Sequence, residues 1–334
     1  MRVALIGAGS WGTSLALVLH SNKHRVRCYT IEQSTIDDVR TKQENSRYLP
    51  GVKIPSEIVF SDDLAFTVQD ADLILNAVPS QVTRLVVPQV VAALNKSGQI
   101  WVTVSKGIET KTHMQVTDVI HEAGNIPHEK IVALSGPSHA EEVSRKVPTA
   151  VVSASVNLAS AEIVQETFMT PYFRIYSSTD VNGVELGGAL KNIIALAAGI
   201  CDGAGFGDNT KAALMTRGLA EMNRLGAAFN ANSDTFAGLS GMGDLIVTCM
   251  SRHSRNRHVG EEIGKGRPLQ EVLDEMVMVA EGVKTTQSAY ELAQLKGVDM
   301  PITEQIYLTL FENKSPHQAM LDLMTRESKE EDWG

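Results

Sequence analysis

Cysteine is scarce. The 334-residue chain holds three, Cys28, Cys201 and Cys249, widely spaced. An odd, scattered set cannot form a disulfide framework and fits a reducing compartment, so a cytoplasmic setting is expected. Positive charge is also in deficit: Lys plus Arg is 30 against 39 Asp plus Glu, a formal charge of −9. That balance argues against nucleic acid as a partner and against binding to an anionic membrane surface. Any anion held here must be held by local geometry against the global field. No run of about 18 uncharged apolar residues occurs, so no membrane insertion is expected. Met1-Arg2 and the apolar run to Leu19 imitate a secretory signal. Three glycines interrupt that run, however, and no clean small-x-small cleavage site follows. Internal repeats and low-complexity tracts are lacking too.

What is present suits a globular enzyme: 43% hydrophobic and 21% charged residues, in a chain long enough for about two domains of roughly 150 residues each. The apolar run Arg2 to Ile6 leads at once into Gly7-Ala8-Gly9-Ser10-Trp11-Gly12, and Thr13 to His20 then reads as a helix. Strand, tight turn and helix give G-x-G-x-x-G its meaning as a dinucleotide-binding turn. Gly7 permits the turn, Gly9 lets the backbone approach a pyrophosphate, and Gly12 lets helix and strand pack closely. The first amides of the helix then face the phosphates.

Further apolar runs lie at Val26 to Tyr29, Asp72 to Val78, Ile100 to Val104, Ile131 to Leu134 and Ala150 to Ala154. Alternation with helical segments predicts an α/β fold with an N-terminal Rossmann-type, doubly wound, mainly parallel sheet over residues 1–180. The loops Val78-Pro79-Ser80, Ser105-Lys106-Gly107 and Ser135-Gly136-Pro137-Ser138-His139 follow three of these strands. Ligands of such sheets bind outside the carboxyl ends of the strands, so these loops and the glycine turn are expected to surround one crevice with Lys106 at its lip. Glu32, just past the second strand, stands where a carboxylate would accept hydrogen bonds from a ribose 2′-hydroxyl and repel a 2′-phosphate. It is equally readable as a surface residue opening the next helix.

From Val181 the pattern turns helical, which predicts a second, all-α C-terminal domain over residues 181–334. The stretch Val184 to Gly199 is apolar nearly all round, as a core helix is, yet Lys191 and Asn192 sit in its middle. A snorkelling lysine is one reading. The other is an ammonium placed for proton transfer. Asp244, at the end of the glycine-rich Gly238 to Gly243, is readable as an N-cap or as a carboxylate that orients a lysine or a substrate hydroxyl. Ser254-Arg255-Asn256-Arg257 offers amides and guanidinium groups for a phosphate. Cys249, His253 and His258 match no structural zinc spacing, so no metal is expected. The tail from Arg326 to Asp332 is charge-dense and is expected to fray.

Taken in order, Gly7 to Gly12, Asn45-Ser46-Arg47-Tyr48-Leu49-Pro50-Gly51, Ser105 to Glu109 and Gly136-Pro137-Ser138 resemble the NAD(P)-dependent glycerol-3-phosphate dehydrogenases. So do Glu185-Leu186 through Lys191-Asn192, Gly241 to Asp244, Ser254 to Arg257 and Glu281-Gly282. The resemblance runs nearly end to end. It implies hydride transfer between NAD(H) or NADP(H) and the pair dihydroxyacetone phosphate and sn-glycerol 3-phosphate, supplying glycerophospholipid synthesis. By matched motifs Lys191 is the expected proton donor and acceptor. Lys106, Gly136, Ser138, Lys191, Asp244, Ser254, Arg255 and Asn256 are expected at the substrate. Ser10, Trp11, Tyr48, Lys106, Ala140, Arg255, Val279 and Glu281 are expected at the cofactor, with Asn192 and Thr248 assisting. One departure stands out: bacterial members often carry Arg just after the second strand, where this chain has Ile31 and Glu32, which puts NADP preference in doubt. A homodimer is the default assembly. The rival readings are a two-domain 3-hydroxy-acid or sugar-acid dehydrogenase and a non-catalytic NAD(P)-sensing module.

Overall fold

The computed structural model describes residues 1–328, 330 and 331. Lys329 and Asp332, part of the tail expected to fray, lie outside the described residues, as do Trp333 and Gly334. Elsewhere in that tail Arg326 pairs with Asp299 at 3.0 Å and Glu331 with Arg217 at 3.1 Å. The chain divides into two compact units, one made of Met1–Lys106 with Met114–Val184, the other of Gly107–His113 with Glu185–Gly334.

The first unit is built on strands β1 (Arg2–Ile6), β2 (Arg25–Tyr29), β5 (Val59–Ser61), β6 (Leu73–Asn76), β7 (Ile100–Thr103), β8 (Ile131–Ser135), β9 (Thr149–Ala154) and β10 (Phe173–Ser178). A small hairpin of β3 (Glu44–Asn45) and β4 (Leu49–Lys53) lies apart from them. The sheet order is β10-β9-β8-β7-β6-β1-β2-β5. Every pairing in it is parallel except β8 with β9. The central strands are continuous apolar runs because both faces are covered. Val3, Leu5, Leu73, Leu75 and Val102 bury against one side, together with Leu15 and Leu19 of the helix Ser10–Ser21. Ala4, Ile6, Ile74 and Trp101 bury against the other, with Val87, Val90, Val116 and Ile120.

Six of the eight strands coincide with the apolar runs read from the sequence. The two that do not are the outermost, β5 and β10. In β10 only Phe173 and Ile175 are buried while Arg174 and Tyr176 are exposed, so an edge strand shows a half-polar alternation rather than an apolar run.

In the second unit the long helix Val181–Ala204 has the length and hydropathy to cross a bilayer, but the apolar window that qualifies it is wholly buried inside the fold. From Leu186 on, its residues Leu186, Ile193, Ile194 and Leu196 join one core with Leu219, Met222, Leu245, Val259 and Val283. Its crossing with the helix Arg255–Gly264 is backbone on backbone. A Cβ added to Gly199 would lie 2.0 Å from the Arg257 carbonyl oxygen, and one on Gly260 would lie 2.0 Å from that of Leu196. Only glycine admits such an approach. The segment Gly107–His113 belongs to this unit: Ser288 Oγ donates to the Ile108 carbonyl at 3.2 Å, and His113 Nε2 meets Glu291 Oε2 at 2.8 Å.

Candidate active site

The glycine turn between β1 and the helix Ser10–Ser21 is built as its sequence requires. Gly7 has φ of +104° and donates its N–H to the Tyr29 carbonyl at 3.1 Å, fastening the turn to the end of β2. A Cβ on Gly12 would come within 2.2 Å of the Gly7 oxygen, whereas one on Gly9 would meet nothing within 4 Å. Gly9 is also the N-cap, with no side chain capping the helix and no acidic residue in the first turn. An open approach to uncapped amides at the positive end of a helix fits a dinucleotide pyrophosphate. The turn is braced by the buried Asn45, whose Nδ2 donates to the Ala8 carbonyl and to Thr13 Oγ1, both at 2.9 Å. Ser14 Oγ donates to the Ala140 carbonyl at 2.8 Å, fixing Ala140 beside this helix. Trp11 lies 6.3 Å from the Phe173 ring, and its buried Nε1 has no hydrogen-bond partner among the described residues.

The loops that follow β6, β7 and β8 are laced together. Ser105 Oγ donates to the Val78 carbonyl at 2.6 Å. Lys106 Nζ donates to the Gly136 carbonyl at 2.8 Å and reaches Ser138 Oγ at 3.3 Å. Lys106, Gly136 and Ser138, taken separately from the sequence, are thus one cluster past the carboxyl ends of the parallel strands. Tyr48 lies on the other side of the glycine turn, and its hydroxyl donates to Glu32 Oε1 at 2.5 Å.

In the second unit Lys191 is buried. Its Nζ lies 2.8 Å from Asp244 Oδ1 and donates to Thr248 Oγ1 at 2.6 Å. Asp244 is buried as well and opens the helix Asp244–Met250, but the N-cap is Gly243. Of the two readings of Asp244, its contact favours the one that orients a lysine. One turn of π-helix, Leu239–Gly243, delivers it, and such turns occur frequently at functional sites. The neighbouring Asn192 accepts through Oδ1 from Asn256 Nδ2 at 2.9 Å, and Asn256 Oδ1 accepts from the Gly282 N–H at 2.9 Å. Lys191-Asn192, Ser254 to Asn256 and Glu281-Gly282, three stretches far apart in sequence, therefore meet. Ser254 caps the helix Arg255–Gly264 by accepting from the Arg257 N–H at 3.2 Å. Arg255 Nη1 donates to the Val279 carbonyl at 2.8 Å, beside the start of the helix Glu281–Lys296.

The two arginines of the Ser254 to Arg257 run part company. Arg257 is tied to Asp202 at 2.6 Å and to Glu261 at 3.5 Å, so its guanidinium serves the helix crossing. Asp202 also pairs with Lys211, a network no spacing rule pointed to. The buried Glu221 escaped the sequence reading as well, while Asn45 was singled out only within a resembling motif, with no sign that it braces the glycine turn. Cys249 is fully buried while His253 and His258 are exposed, so these three do not converge.

Residues 2–161 match the family model described as the N-terminus of NAD-dependent glycerol-3-phosphate dehydrogenase, and residues 180–321 match the one described as its C-terminus. Glycerol-3-phosphate dehydrogenase (NAD(P)+) of Chlorobium phaeobacteroides strain BS1 is 52% identical over 332 residues, 99% of each chain. That of Geobacillus kaustophilus is 52% identical over 331 residues, 99% of this chain and 96% of the relative. Among solved structures, glycerol-3-phosphate dehydrogenase from Coxiella burnetii superposes with a TM-score of 0.92 at 36% identity, covering 97% of this chain and 99% of that one.

Proposed function

The chain belongs to the NAD-dependent glycerol-3-phosphate dehydrogenase family, and from that membership we propose how its residues divide the work of its NAD(P)-dependent interconversion of dihydroxyacetone phosphate and sn-glycerol 3-phosphate. The observation that carries the assignment is the buried Lys191 held between Asp244 and Thr248. A nicotinamide cofactor, when held by the first unit, would supply or accept the hydride. As a new C–H bond forms at the ketone carbon, the carbonyl π electrons move to oxygen, and Lys191 Nζ gives that oxygen its proton. In the oxidative direction the neutral amine takes the proton back. A positioned donor in a water-poor site lowers the barrier most where charge develops. Asp244 aims the ammonium, and Thr248 Oγ1, which itself donates to the Asp244 carbonyl at 2.6 Å, fixes its direction.

Arg255, Asn256 and the capped first turn behind Ser254 are assigned to the substrate phosphate, a contact remote from the carbonyl that sets the carbon in place. Lys106, Gly136 and Ser138 complete the substrate set. Ser10, Trp11, Tyr48, Lys106, Ala140, Arg255, Val279 and Glu281 are assigned to the cofactor, in keeping with the open Gly9 turn that several of them flank. The dinucleotide role falls to residues 1–180 and the catalytic and substrate role to 181–334. The activity is placed in the cytoplasm, in a homodimer, supplying glycerophospholipid synthesis.

The test is NADH oxidation with dihydroxyacetone phosphate beside dihydroxyacetone. Turnover confined to the phosphorylated ketone, with a KM that rises sharply in Arg255→Ala, is the expected result. Equal use of both ketones, or an unmoved KM, would remove the phosphate anchor.

A further inference from the structure

Glu32 is the N-cap of the helix Gln33–Lys42, yet its side chain caps nothing: no first-turn amide donates to it. Its carboxylate is held elsewhere. Tyr48 donates its hydroxyl to Oε1 at 2.5 Å, Thr35 Oγ1 donates to Oε2 at 3.1 Å, and Arg47 Nη1 lies 3.5 Å from Oε2. Three side chains, one from the helix and two from the β3–β4 connection, therefore fix a half-buried carboxylate just beyond the end of β2. The Thr35 bond is local to the helix start, but the Tyr48 and Arg47 contacts reach in from another element, which opening a helix does not require. Burial, and then the bond to Glu32, push the Tyr48 phenol up to about 12, so it stays a donor and keeps the carboxylate in place at neutral pH.

The location gives this arrangement its meaning. Gly7 is bonded to the carbonyl of Tyr29, the last residue of β2. In a turn of this type the adenosine ribose lies at the end of the second strand, where a carboxylate accepts from the 2′-hydroxyl and a cation is needed for a 2′-phosphate. Both kinds of group are here, and they face each other. Arg47, half exposed and with its ring-side contact to Tyr48 at 5.2 Å, is the nearby cation.

We propose that Glu32, clamped by Tyr48 and Thr35, makes this enzyme select NADH over NADPH, and that Arg47 is a latent 2′-phosphate anchor that Glu32 holds neutralised. The inference rests on the reading of the first unit as the cofactor-holding half. A 2′-phosphate would bring about two negative charges beside a fixed third one, and a neutral residue at 32 would both remove that repulsion and release the guanidinium.

Calorimetric titration of the full chain with NADH and with NADPH, without substrate, tests this directly, with steady-state dihydroxyacetone phosphate reduction run in parallel. The wild type is expected to bind NADPH about 100-fold more weakly than NADH, the size of one unfavourable charge contact near a protein surface. Glu32→Gln should tighten NADPH by roughly tenfold while weakening NADH by less, and NADH binding shows that the variant is folded. Adding Arg47→Ala should erase the NADPH gain. Equal wild-type affinities, an unmoved ratio in Glu32→Gln, or a gain that survives Arg47→Ala would overturn the proposal. Binding of neither dinucleotide would overturn the cofactor reading and this inference with it. Selective NADH binding without ketone turnover would support the inference and overturn the assigned reaction instead.

Discussion

Lys191 could be picked out because a charged residue in the middle of an apolar helix is costly unless something compensates it. Its partner could not be picked out, since Asp244 lies 53 positions on by the numbering and only the fold brings it to 2.8 Å. That partnership alters what mutation should do. Lys191→Ala is expected to lower kcat by about 10²- to 10⁴-fold and also to lower Tm, because a buried carboxylate loses its cation. NADH affinity by calorimetry should persist; near-normal kcat in this variant would remove Lys191 from proton transfer. Glu221 is another buried ionisable group, assigned no part in the chemistry. It accepts from the N–H of Ile302 and, at 3.1 Å and 3.0 Å, from the N–H and Oγ1 of Thr303, at the start of the helix Pro301–Phe311. Burial raises its pKa from 4.5 to about 7 in spite of those bonds and of Arg224 nearby. The folded form thus binds a proton that the unfolded form has released, so its contribution to stability is complete below about pH 4.5 and is lost as pH rises through about 7. Urea unfolding of Glu221→Gln from pH 4.5 to 8 should show a shallower decline than the wild type over that window. Parallel curves would place the pH dependence elsewhere.

The elements most plainly written in the sequence are those buried on both faces. β1, β6, β7 and β8 are apolar runs, and the glycine turn was legible because its context repeats strand, turn and helix. Edge strands and the β3–β4 hairpin were not, because their patterns are half polar and two or three residues are too few for a period. Nor was the crossing of Val181–Ala204 with Arg255–Gly264 legible, although its glycines are plain to see: spacing does not say which helix they admit. That crossing accompanies the Asn192–Asn256 bond, which holds the Lys191-Asn192 stretch against the start of the helix Arg255–Gly264. Gly260→Ala would drive a methyl to 2.0 Å from the Leu196 oxygen. It is expected to cost about 1–3 kcal/mol or more by overpacking, seen as a lower Tm together with a raised KM for dihydroxyacetone phosphate. An unchanged Tm would mean that the helices can part without loss.

For the molecule as a whole, the formal charge of −9 and a dianionic substrate set global repulsion against a few local cations. The local term is expected to dominate, so KM for dihydroxyacetone phosphate should rise with ionic strength as Lys106 and Arg255 are screened, the buried Lys191–Asp244 pair being screened much less. A KM that falls with added salt would show the global field in control. By itself the sequence determined the two-part α/β and helical plan, the glycine turn and the family, because burial periodicity and short motifs are local properties of the chain. Only the tertiary structure decided which charges are neighbours: Lys191 with Asp244, Arg257 with Asp202, Glu32 with Tyr48 and Arg47. Those pairings depend on distances between residues far apart along the chain, and electrostatic and hydrogen-bond energies are set by such distances and by exclusion of water, which no one-dimensional pattern contains.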